Sequence, residues 1–549
     1  MALFLVLVGV VLFICIFLNT ASNRIGMPVL LAFILLGILF SNNGLIPIKM
    51  ENYNFVEQLC STALIFIMFY GGFGTRWSSA RPVAVESMLL ATVGVIMTAV
   101  VTAFLCHFLL GWDMLESLLL GSVLSSTDAA SVFSILRTKK LGLRNGIAPL
   151  LEVESGSNDP CAYMMTIISL SLLGGKVTFG GIALTLVAQL GLGTIFGLLI
   201  AQGAIYLLNK VDFSTNGFDS MFLIAVAILS YALPSLVGGN GYLSTYIVGV
   251  YLGNHGLSSK KDMVNFFDAF TGLMQVLIFF MLGLLARVDL MVKALVPALV
   301  VFLILSLVAR PATVAAILTP FRKYKLRDQA LISFAGLRGA SSIVFAIVAV
   351  VGEKSLDNDL FNVVFCIVLV SIALQGALLP YVAKKLDMID PETDVMKTFS
   401  DFSEEAKLQF AEIRISDDSA WKDKMVRNLN IPREMLLCLN ITSDGQRLVP
   451  NGNTVFHEGD TVIVCSKEFQ GEDKMKVQRV VIPDDPFRKN LTIRDFHVQK
   501  GQVMLLTRGE ERIIPHGSTE VLPGDVLYIN RSVQEQESPE DLLPNDNRA

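Results

Sequence analysis

Charged residues are scarce in this chain. Asp, Glu, Lys and Arg make up 17% of its 549 residues and hydrophobic residues 53%, whereas soluble globular domains carry about a quarter charged residues. The composition therefore argues against a purely soluble enzyme. The seven cysteines are an odd number and form no C-x-x-C pair, which argues against a disulfide framework and against a zinc site.

The charges that are present are unevenly placed. Residues 1–385 contain 23 Lys and Arg against 18 Asp and Glu, whereas residues 386–549 contain 20 against 30. We therefore predict a membrane domain at 1–385, with the lipid bilayer as its partner, followed by a polar appendage. The formal net charge of −5 leaves no basic surface for nucleic acid, so none is expected as a partner.

Long apolar runs dominate the first part of the chain. A helix needs ~20 largely apolar residues to cross a bilayer, and thirteen runs fit that template: 2–19, 27–40, 59–74, 84–110, 115–137, 149–174, 179–208, 219–237, 242–254, 263–286, 288–318, 328–351 and 358–384. The connections on one side hold 16 Lys and Arg and those on the other side 5, which puts the N-terminus outside and the C-terminal part in the cytoplasm. The sequence therefore predicts an all-α polytopic protein of the plasma (inner) membrane with 13 transmembrane helices.

Six ionisable residues lie well inside these runs. They are Asp128, Glu152, Glu154, Asp159, Arg310 and Arg338. An ionised side chain at the centre of a membrane helix costs ~2.5–3.5 kcal/mol, so such residues usually face a cavity, a partner or an ion. Because acids outnumber bases four to two, carboxylates remain that must bind a proton or a metal cation. The alternative is a set of buried ion pairs that only hold helices together.

Two of the runs are interrupted. SSTD breaks the fifth run around Asp128, and the Gly/Ser-rich GLRGASS breaks the twelfth around Arg338. Ser, Thr and Asp suit an unwound turn because they satisfy freed backbone groups and cap the new half-helix. If spans 1–6 and 8–13 are two inverted repeats, the broken helices 5 and 12 correspond, which points to a midplane binding site. The alternative for SSTD is a helix kink with Asp128 hydrogen-bonded to backbone.

The sixth run, APLLEVESGSNDPCAYMMTIISL, carries the leading candidate for an ion-binding residue. Ser155 and Asp159 are four positions apart and share a helix face, whereas Glu154 lies ~140° away from Asp159 around the axis. Asn158 adds a neutral amide that can hold the carboxylate without a second titrating charge. We therefore predict that Asp159 binds the ion and that Glu154 is left for a base.

Two buried bases are available to Glu154. Arg338, in the interrupted twelfth run, is placed to neutralise it, and Arg310, in LVARPATV, is a second base. The alternative is that both arginines are purely structural.

Four motifs, in this order, give the membrane part a family resemblance. They are STD (Ser126, Thr127, Asp128), ESGSND (Glu154 to Asp159), ARP (Arg310) and GLRGA (Arg338). Together with the thirteen-span plan they resemble the cation/proton antiporter superfamily, specifically its electroneutral NhaP-type branch, over residues 1–385. The resemblance implies secondary active exchange of cytoplasmic K⁺ or Na⁺ for external H⁺, and a homodimer.

The resemblance also assigns roles to residues. It implies that cation and proton compete for Asp159, that Asn158 and the Thr127–Asp128 break shape the site, and that Glu154 pairs with Arg338. An Asn before the Asp implies one-for-one exchange. The predicted ion-binding set is Asp159, Asn158, Ser155, Thr127 and Asp128. No resident cofactor is expected, because the transported ions are the substrates.

Two other function classes fit the membrane part less well. A ligand-gated monovalent cation channel needs a filter of carbonyl loops such as T-V-G-Y-G, which the sequence lacks. An intramembrane enzyme needs a nucleophile and a base; Ser155 near Asp159 is the only candidate, and no His lies in that segment. A secondary transporter is therefore predicted rather than an enzyme.

The polar part follows a charged linker at 386–408 and contains an internal repeat with an offset of 65 residues. Thr442, Arg447, Pro450, Gly452, Thr454, Gly459 and Asp460 recur as Thr507, Arg512, Pro515, Gly517, Thr519, Gly524 and Asp525. Short alternating strands bounded by turns predict two small α+β lobes, at 409–475 and 476–531, the first with a helix near 421–429. Residues 532–549 are predicted to be a disordered tail.

The first lobe resembles the TrkA-C (RCK-C) domain of regulators of potassium conductance, and the second is a more divergent match. The resemblance implies regulation by a small ligand, for instance a nucleotide such as cyclic di-AMP, in a dimeric cleft. It also favours K⁺ as the transported ion. The candidate regulatory residues are Arg447, Pro450, Gly459, Asp460, Arg512, Pro515, Gly524 and Asp525. The alternative is a dimerisation and stability module with no ligand.

Overall fold

The structure is a computed structural model in which the chain forms two units, Met1–Glu405 and Ala406–Ala549. It describes residues 9–18, 29–42, 48, 52–139, 141–175, 179–210, 217–255, 257, 260–353, 356 and 358–390 of the first unit. In the second unit it describes 408–417, 419, 421–429, 431, 435–444, 446–467, 476–482, 491–495, 501–508, 511–513 and 515–531. Most of the predicted linker and the predicted disordered tail at 532–549 lie outside these residues.

The first unit is helical. In chain order its main described helices, named α1 to α15, are Gly9–Leu18, Val29–Leu39, Tyr53–Gly74, Arg81–Leu110, Met114–Val123, Ala129–Thr138, Ile147–Leu173, Phe179–Lys210, Phe218–Leu236, Gly241–Gly253, Lys260–Leu285, Val288–Leu318, Leu326–Phe334, Ala340–Gly352 and Leu360–Lys385. Among the described residues, seven helices are long and apolar enough to cross a membrane: α3, α4, α8, α9, α11, α12 and α15. The predicted multi-pass helical architecture is therefore confirmed, and the count of thirteen crossings stays a prediction.

Both predicted interruptions are present. Helix α5 ends at Val123 and α6 begins at Ala129, while α13 ends at Phe334 and α14 begins at Ala340. The two non-helical stretches meet, since the backbone N–H of Asp128 donates to the carbonyl of Leu337 at 2.9 Å. Backbone groups that leave a helix inside an apolar unit need such partners.

Three other segments contain a π-helical turn. These turns lie at Leu90–Gly94 in α4, Ile304–Ala309 in α12 and Ser371–Gln375 in α15. A π-turn adds a residue to one helical turn, so it shifts the face that the following residues present. Arg310 follows directly after the second of them.

Glycines allow close contacts between helices. A methyl group on Gly283 of α11 would come within 2.9 Å of the Cα atom of Gly37 on α2, and one on Gly249 of α10 within 2.9 Å of the backbone nitrogen of Phe73 on α3. Small residues let membrane helices approach until their backbones touch. We call these two places the glycine contacts.

A short antiparallel strand pair lies within the first unit. Strand β1 (Gly142–Leu143), between α6 and α7, pairs with β2 (Ile389–Asp390), just after α15. Arg144 donates its backbone N–H to the carbonyl of Met388 at 3.0 Å. The guanidinium of Arg144 also lies 3.3 Å from the carboxylate of Asp387. We call this arrangement the loop clasp.

The second unit contains two sheets of the same topology. The first consists of β3 (Leu408–Arg414), β4 (Met435–Ile441), β5 (Arg447–Leu448) and β6 (Thr461–Lys467), in the order β3-β6-β4-β5. The second consists of β7 (Lys476–Val481), β9 (Gly501–Arg508), β10 (Glu511–Ile513) and β12 (Val526–Arg531), in the equivalent order β7-β12-β9-β10. Short strands β8 (Leu491–Thr492) and β11 (Glu520–Val521) pair beside it. The order of the strands matches the repeat in the sequence.

The prediction of a helix near 421–429 is wrong. Only a 3₁₀ turn, Val426–Asn428, forms there. The backbone N–H of Val426 donates to the carbonyl of Thr454 at 2.9 Å, and that of Arg427 to Gly452 at 3.1 Å. Because these donors are used by a distant part of the lobe, they are not available for the helical hydrogen bonds that the local pattern favours.

Candidate functional site

Asp159 lies in the middle of α7 and is buried, with 5% of its surface exposed. Its Oδ1 atom accepts a short hydrogen bond from the hydroxyl of Ser126, in the first interruption. The Ser126 hydroxyl also lies 2.9 Å from the hydroxyl of Ser341, at the start of α14. Both interrupted segments therefore meet at the carboxylate that the sequence singles out.

Two other α7 side chains hold Thr127. The hydroxyl of Ser155 donates to the carbonyl of Thr127 at 2.7 Å, and Nδ2 of Asn158 donates to the Thr127 hydroxyl at 2.6 Å. The amide oxygen of Asn158 is buried and accepts no hydrogen bond from the described residues. A buried acceptor without a donor is costly. It is a suitable ligand for a cation beside Asp159.

Asp128 caps the second half of the broken segment. Its carboxylate accepts hydrogen bonds from the Ser131 hydroxyl at 2.5 Å and the Ser131 backbone N–H at 3.2 Å. Gly339, in the other interruption, is so close that any Cβ there would overlap the Asp128 side chain. The cap that an unwound turn predicts for Asp128 is thus observed, and it lies where the two interruptions meet.

The salt bridge of Glu154 differs from the predicted one. Its Oε1 atom lies 2.5 Å from Nη2 of Arg310, and both side chains are almost fully buried. Arg338 instead donates from Nη1 to the carbonyl of Ser126 at 2.6 Å. The predicted Glu154–Arg338 pair is therefore wrong, and the second base is the partner. Arg338 satisfies a carbonyl that the first interruption frees.

Sequence reasoning missed two contacts of the site. Ser126 and Ser341 stand inside the SSTD and GLRGASS motifs, but several hydroxyls in those motifs are equally good candidates. Which of them reaches Asp159 depends on how the two interruptions cross. That crossing is a property of the three-dimensional arrangement.

Comparison with known proteins identifies the family. The profile described as "Sodium/hydrogen exchanger, transmembrane" matches residues 9–385. The chain belongs to the sodium/hydrogen exchanger family. A second profile, the TrkA-C domain, matches residues 410–468.

Curated relatives of this exchanger cover most of its length. The K(+)/H(+) antiporter NhaP of Alkalimonas amylolytica is 32% identical over 467 residues, which is 84% of this chain and 81% of the relative. The K(+)/H(+) antiporter NhaP2 of Shewanella baltica is 31% identical, over 83% of this chain and 79% of the relative. These proteins are transporters and not enzymes, in agreement with the predicted class.

A solved structure has the same fold. The sodium proton antiporter MjNhaP1 from Methanocaldococcus jannaschii aligns with a TM-score of 0.62 at 22% identity, covering 70% of this chain and 99% of that one. At this level of identity the likeness concerns the fold. It confirms the NhaP-like fold that the four motifs predict.

In the two lobes of the second unit, four of the predicted regulatory residues build turns. Gly459 and Gly524 have φ of +85° and +86°, which glycine adopts at low cost. Asp460 is buried and accepts the backbone N–H groups of His457 at 3.0 Å and Ser443 at 3.1 Å. Their placement accounts for the repeated G-D pattern by folding alone.

The matching turn of the second lobe adds a charge pair. Asp525 is buried, accepts the backbone N–H of Leu522 at 2.8 Å and lies 2.8 Å from Nη2 of Arg508.

The remaining regulatory candidates occupy equivalent positions of the two lobes. Arg447 lies on β5 opposite Ile441, and Arg512 on β10 opposite Thr507. Pro450 and Pro515 are half-buried just before the turns that follow. Their role in binding a ligand stays a prediction.

Proposed function

We propose that this exchanger carries a monovalent cation and a proton in opposite directions by alternating access, with both competing for Asp159. The observation that carries the proposal is the position of this buried carboxylate, which accepts a hydrogen bond from Ser126 in the first interruption, while Ser126 in turn contacts Ser341 of the second interrupted segment. A carboxylate in such a place must be neutralised by a proton or by a cation. Interrupted helices at one level supply the ligands that replace the water around an alkali ion.

The ligand set we propose consists of Asp159, the amide oxygen of Asn158 and the hydroxyl of Ser126. Ser155 and Thr127 hold the shape of the site through their hydrogen bonds to each other and to Asn158. Asp128 acts through the cap on α6. Because Asn158 is neutral, one carboxylate carries one charge in each direction, which makes the exchange electroneutral.

We propose K⁺ as the principal cation, with Na⁺ as the second candidate. The relatives at 32% and 31% identity are named K(+)/H(+) antiporters. A TrkA-C domain follows the membrane part. The channel alternative is not favoured, since the relatives are named antiporters.

For the topology we propose thirteen crossings in two inverted repeats. The described helices of the first unit form thirteen segments when each interrupted pair counts once. The π-turns of α4 and α12 fall in segments four and eleven, which correspond under the repeat. The distribution of Lys and Arg favours an external N-terminus and a cytoplasmic tail in the inner membrane. The same proposal includes a homodimer. It also includes the domain limits 1–385, 386–408, 409–475, 476–531 and 532–549.

Transport assays test the proposal directly. We expect K⁺ or Na⁺ to dissipate a pH gradient in everted vesicles that contain the full chain, as followed by a pH-sensitive dye. Asp159→Asn removes the group for which both ions compete and should abolish the signal. Asp219→Asn, the same change at the start of α9, should keep it. Exchange that persists in Asp159→Asn, or cation flux without proton movement, would show the assignment to be incorrect.

We propose further that the cytoplasmic tail regulates exchange, either through a small ligand such as a nucleotide or through dimerisation of the lobes. The loop clasp supports this, because it ties the chain that leads to the tail to the loop between α6 and α7. The neighbouring Asn145 donates to Asp328 at 3.0 Å, and Asp328 caps α13. The clasp therefore contacts elements next to both interrupted segments.

A reversible cross-link tests this route. Gly142 and Asp390 are directly opposite in the strand pair, a geometry that suits a disulfide. With Gly142→Cys and Asp390→Cys in the full chain, we expect the KM for the cation to differ by about five-fold or more between oxidised and reduced protein. The single substitution Gly142→Cys should not respond to reductant. Equal KM values in both states of the double variant would mean that the clasp does not transmit regulation.

A further inference from the structure

Two serine hydroxyls connect the second interruption to the ion-binding carboxylate. Ser341 lies in the first turn of α14, and its hydroxyl is 2.9 Å from that of Ser126. Ser126 in turn donates its hydroxyl proton to Asp159. Ser126 is fully buried and Ser341 is 6% exposed, so bulk water does not satisfy either group.

A serine hydroxyl has one proton and two lone pairs. While Ser126 donates its proton to Asp159, this proton occupies the carboxylate oxygen that a cation needs. A cation on Asp159 attracts the lone pairs of Ser126 and repels its proton. The proton must then turn toward another acceptor, because an unpaired buried hydroxyl is unfavourable.

Ser341 is in place to be that acceptor, since its hydroxyl oxygen already lies 2.9 Å from the Ser126 hydroxyl. The backbone carbonyl of Ser126 is already taken by Arg338 at 2.6 Å. This contact holds the backbone of Ser126 and does not involve its hydroxyl. Ser342, the next residue, is also fully buried, but its hydroxyl has no hydrogen-bond partner among the described residues.

We propose that Ser341 is a positioning residue that sets the cation affinity. It accepts the hydroxyl proton of Ser126 when the cation arrives, so that the Ser126 oxygen becomes a ligand beside Asp159. The inference rests on the proposed exchange at Asp159 and extends it. It links the second interrupted segment to cation binding through the neutral hydroxyl of Ser341. Binding of the cation therefore changes a hydrogen bond between the two segments.

The test compares two adjacent serines in the full chain. In vesicles, Ser341→Ala should raise the KM for K⁺ or Na⁺ by about five- to hundred-fold with little change in the maximal rate, since the lost contact serves cation binding. Ser342→Ala removes a hydroxyl that is also buried and should leave KM unchanged. Ser341→Thr keeps a hydroxyl and should restore most of the affinity. A KM for Ser341→Ala equal to that of Ser342→Ala would overturn the inference.

A double-mutant cycle separates this role from a structural one. Ser126→Ala alone should raise KM, and adding Ser341→Ala should raise it no further, because the two hydroxyls act in series. If Ser126→Ala and Ser341→Ala raise KM by independent, additive amounts, the inference is overturned. This holds even if little of the Ser341→Ala protein reaches the membrane. Failure of the proposed function would give a different result, namely exchange that persists in Asp159→Asn.

Discussion

Arg310→Leu should destabilise the membrane unit by about 3–5 kcal/mol, because it leaves the buried Glu154 carboxyl group without its partner in an apolar interior. In the structure the two groups are 2.5 Å apart, with side-chain exposures of 4% and 1%. We expect much lower yields of folded protein and a lower melting temperature of the purified protein in detergent. Thermal denaturation followed by size-exclusion chromatography measures both.

Replacing Glu154 as well should recover the stability that is lost when Arg310 is replaced. The double substitution Arg310→Gln with Glu154→Gln replaces an ion pair by two amides and should recover most of the stability. Arg338→Gln with Glu154→Gln leaves Arg310 without its partner, so no rescue is expected. Rescue by the Arg338 combination and not by the Arg310 combination would contradict the observed pairing.

Gly339→Ala should reduce exchange by at least about ten-fold, since overpacking of a buried contact typically costs 1–3 kcal/mol. The added methyl group would overlap the Asp128 side chain. It would push apart the two interruptions and so disturb the contact between Ser341 and the Ser126 hydroxyl that donates to Asp159. Initial rates in vesicles, normalised to the amount of protein in the membrane, give the effect.

Gly352→Ala is the matched control for this prediction. It lies at the other end of α14, where a methyl group would meet the flexible end of Leu170 at 3.3 Å. We expect close to normal exchange. If both variants behave alike, the tight crossing at Gly339 is not needed for transport.

The interruptions and the buried carboxylate beside them were predictable from the sequence because their signals are local. Ser, Thr, Gly and Asp inside an apolar run are unfavourable unless the helix opens there, and Asp159 has a hydroxyl four positions away on its own helix. The fold class follows from the length of the apolar runs, and the sheets of the tail from a repeat that is visible by alignment of the chain with itself.

The partner of Glu154 was not predictable in this way. Arg310 and Arg338 are both buried bases on other helices, and a π-turn immediately before Arg310 changes the face on which it lies. The helix predicted at 421–429 does not form for a related reason. Its pattern is helical, but its backbone donors are used by residues 452 and 454 of the same lobe. In both cases a contact between distant residues outweighs the local preference.

The glycine contacts restrict the sliding of the helices that they join. Helices slide past each other when the side chains between them change rotamers, and backbone against backbone leaves no side chain to rearrange. We therefore expect α2 to move together with α11, and α3 together with α10. Between α7 and α10, by contrast, the rings of Tyr163 and Tyr242 are 4.9 Å apart. If the exchanger works by the proposed alternating access, we expect the displacement to occur at such a ring-lined surface and not at the glycine contacts.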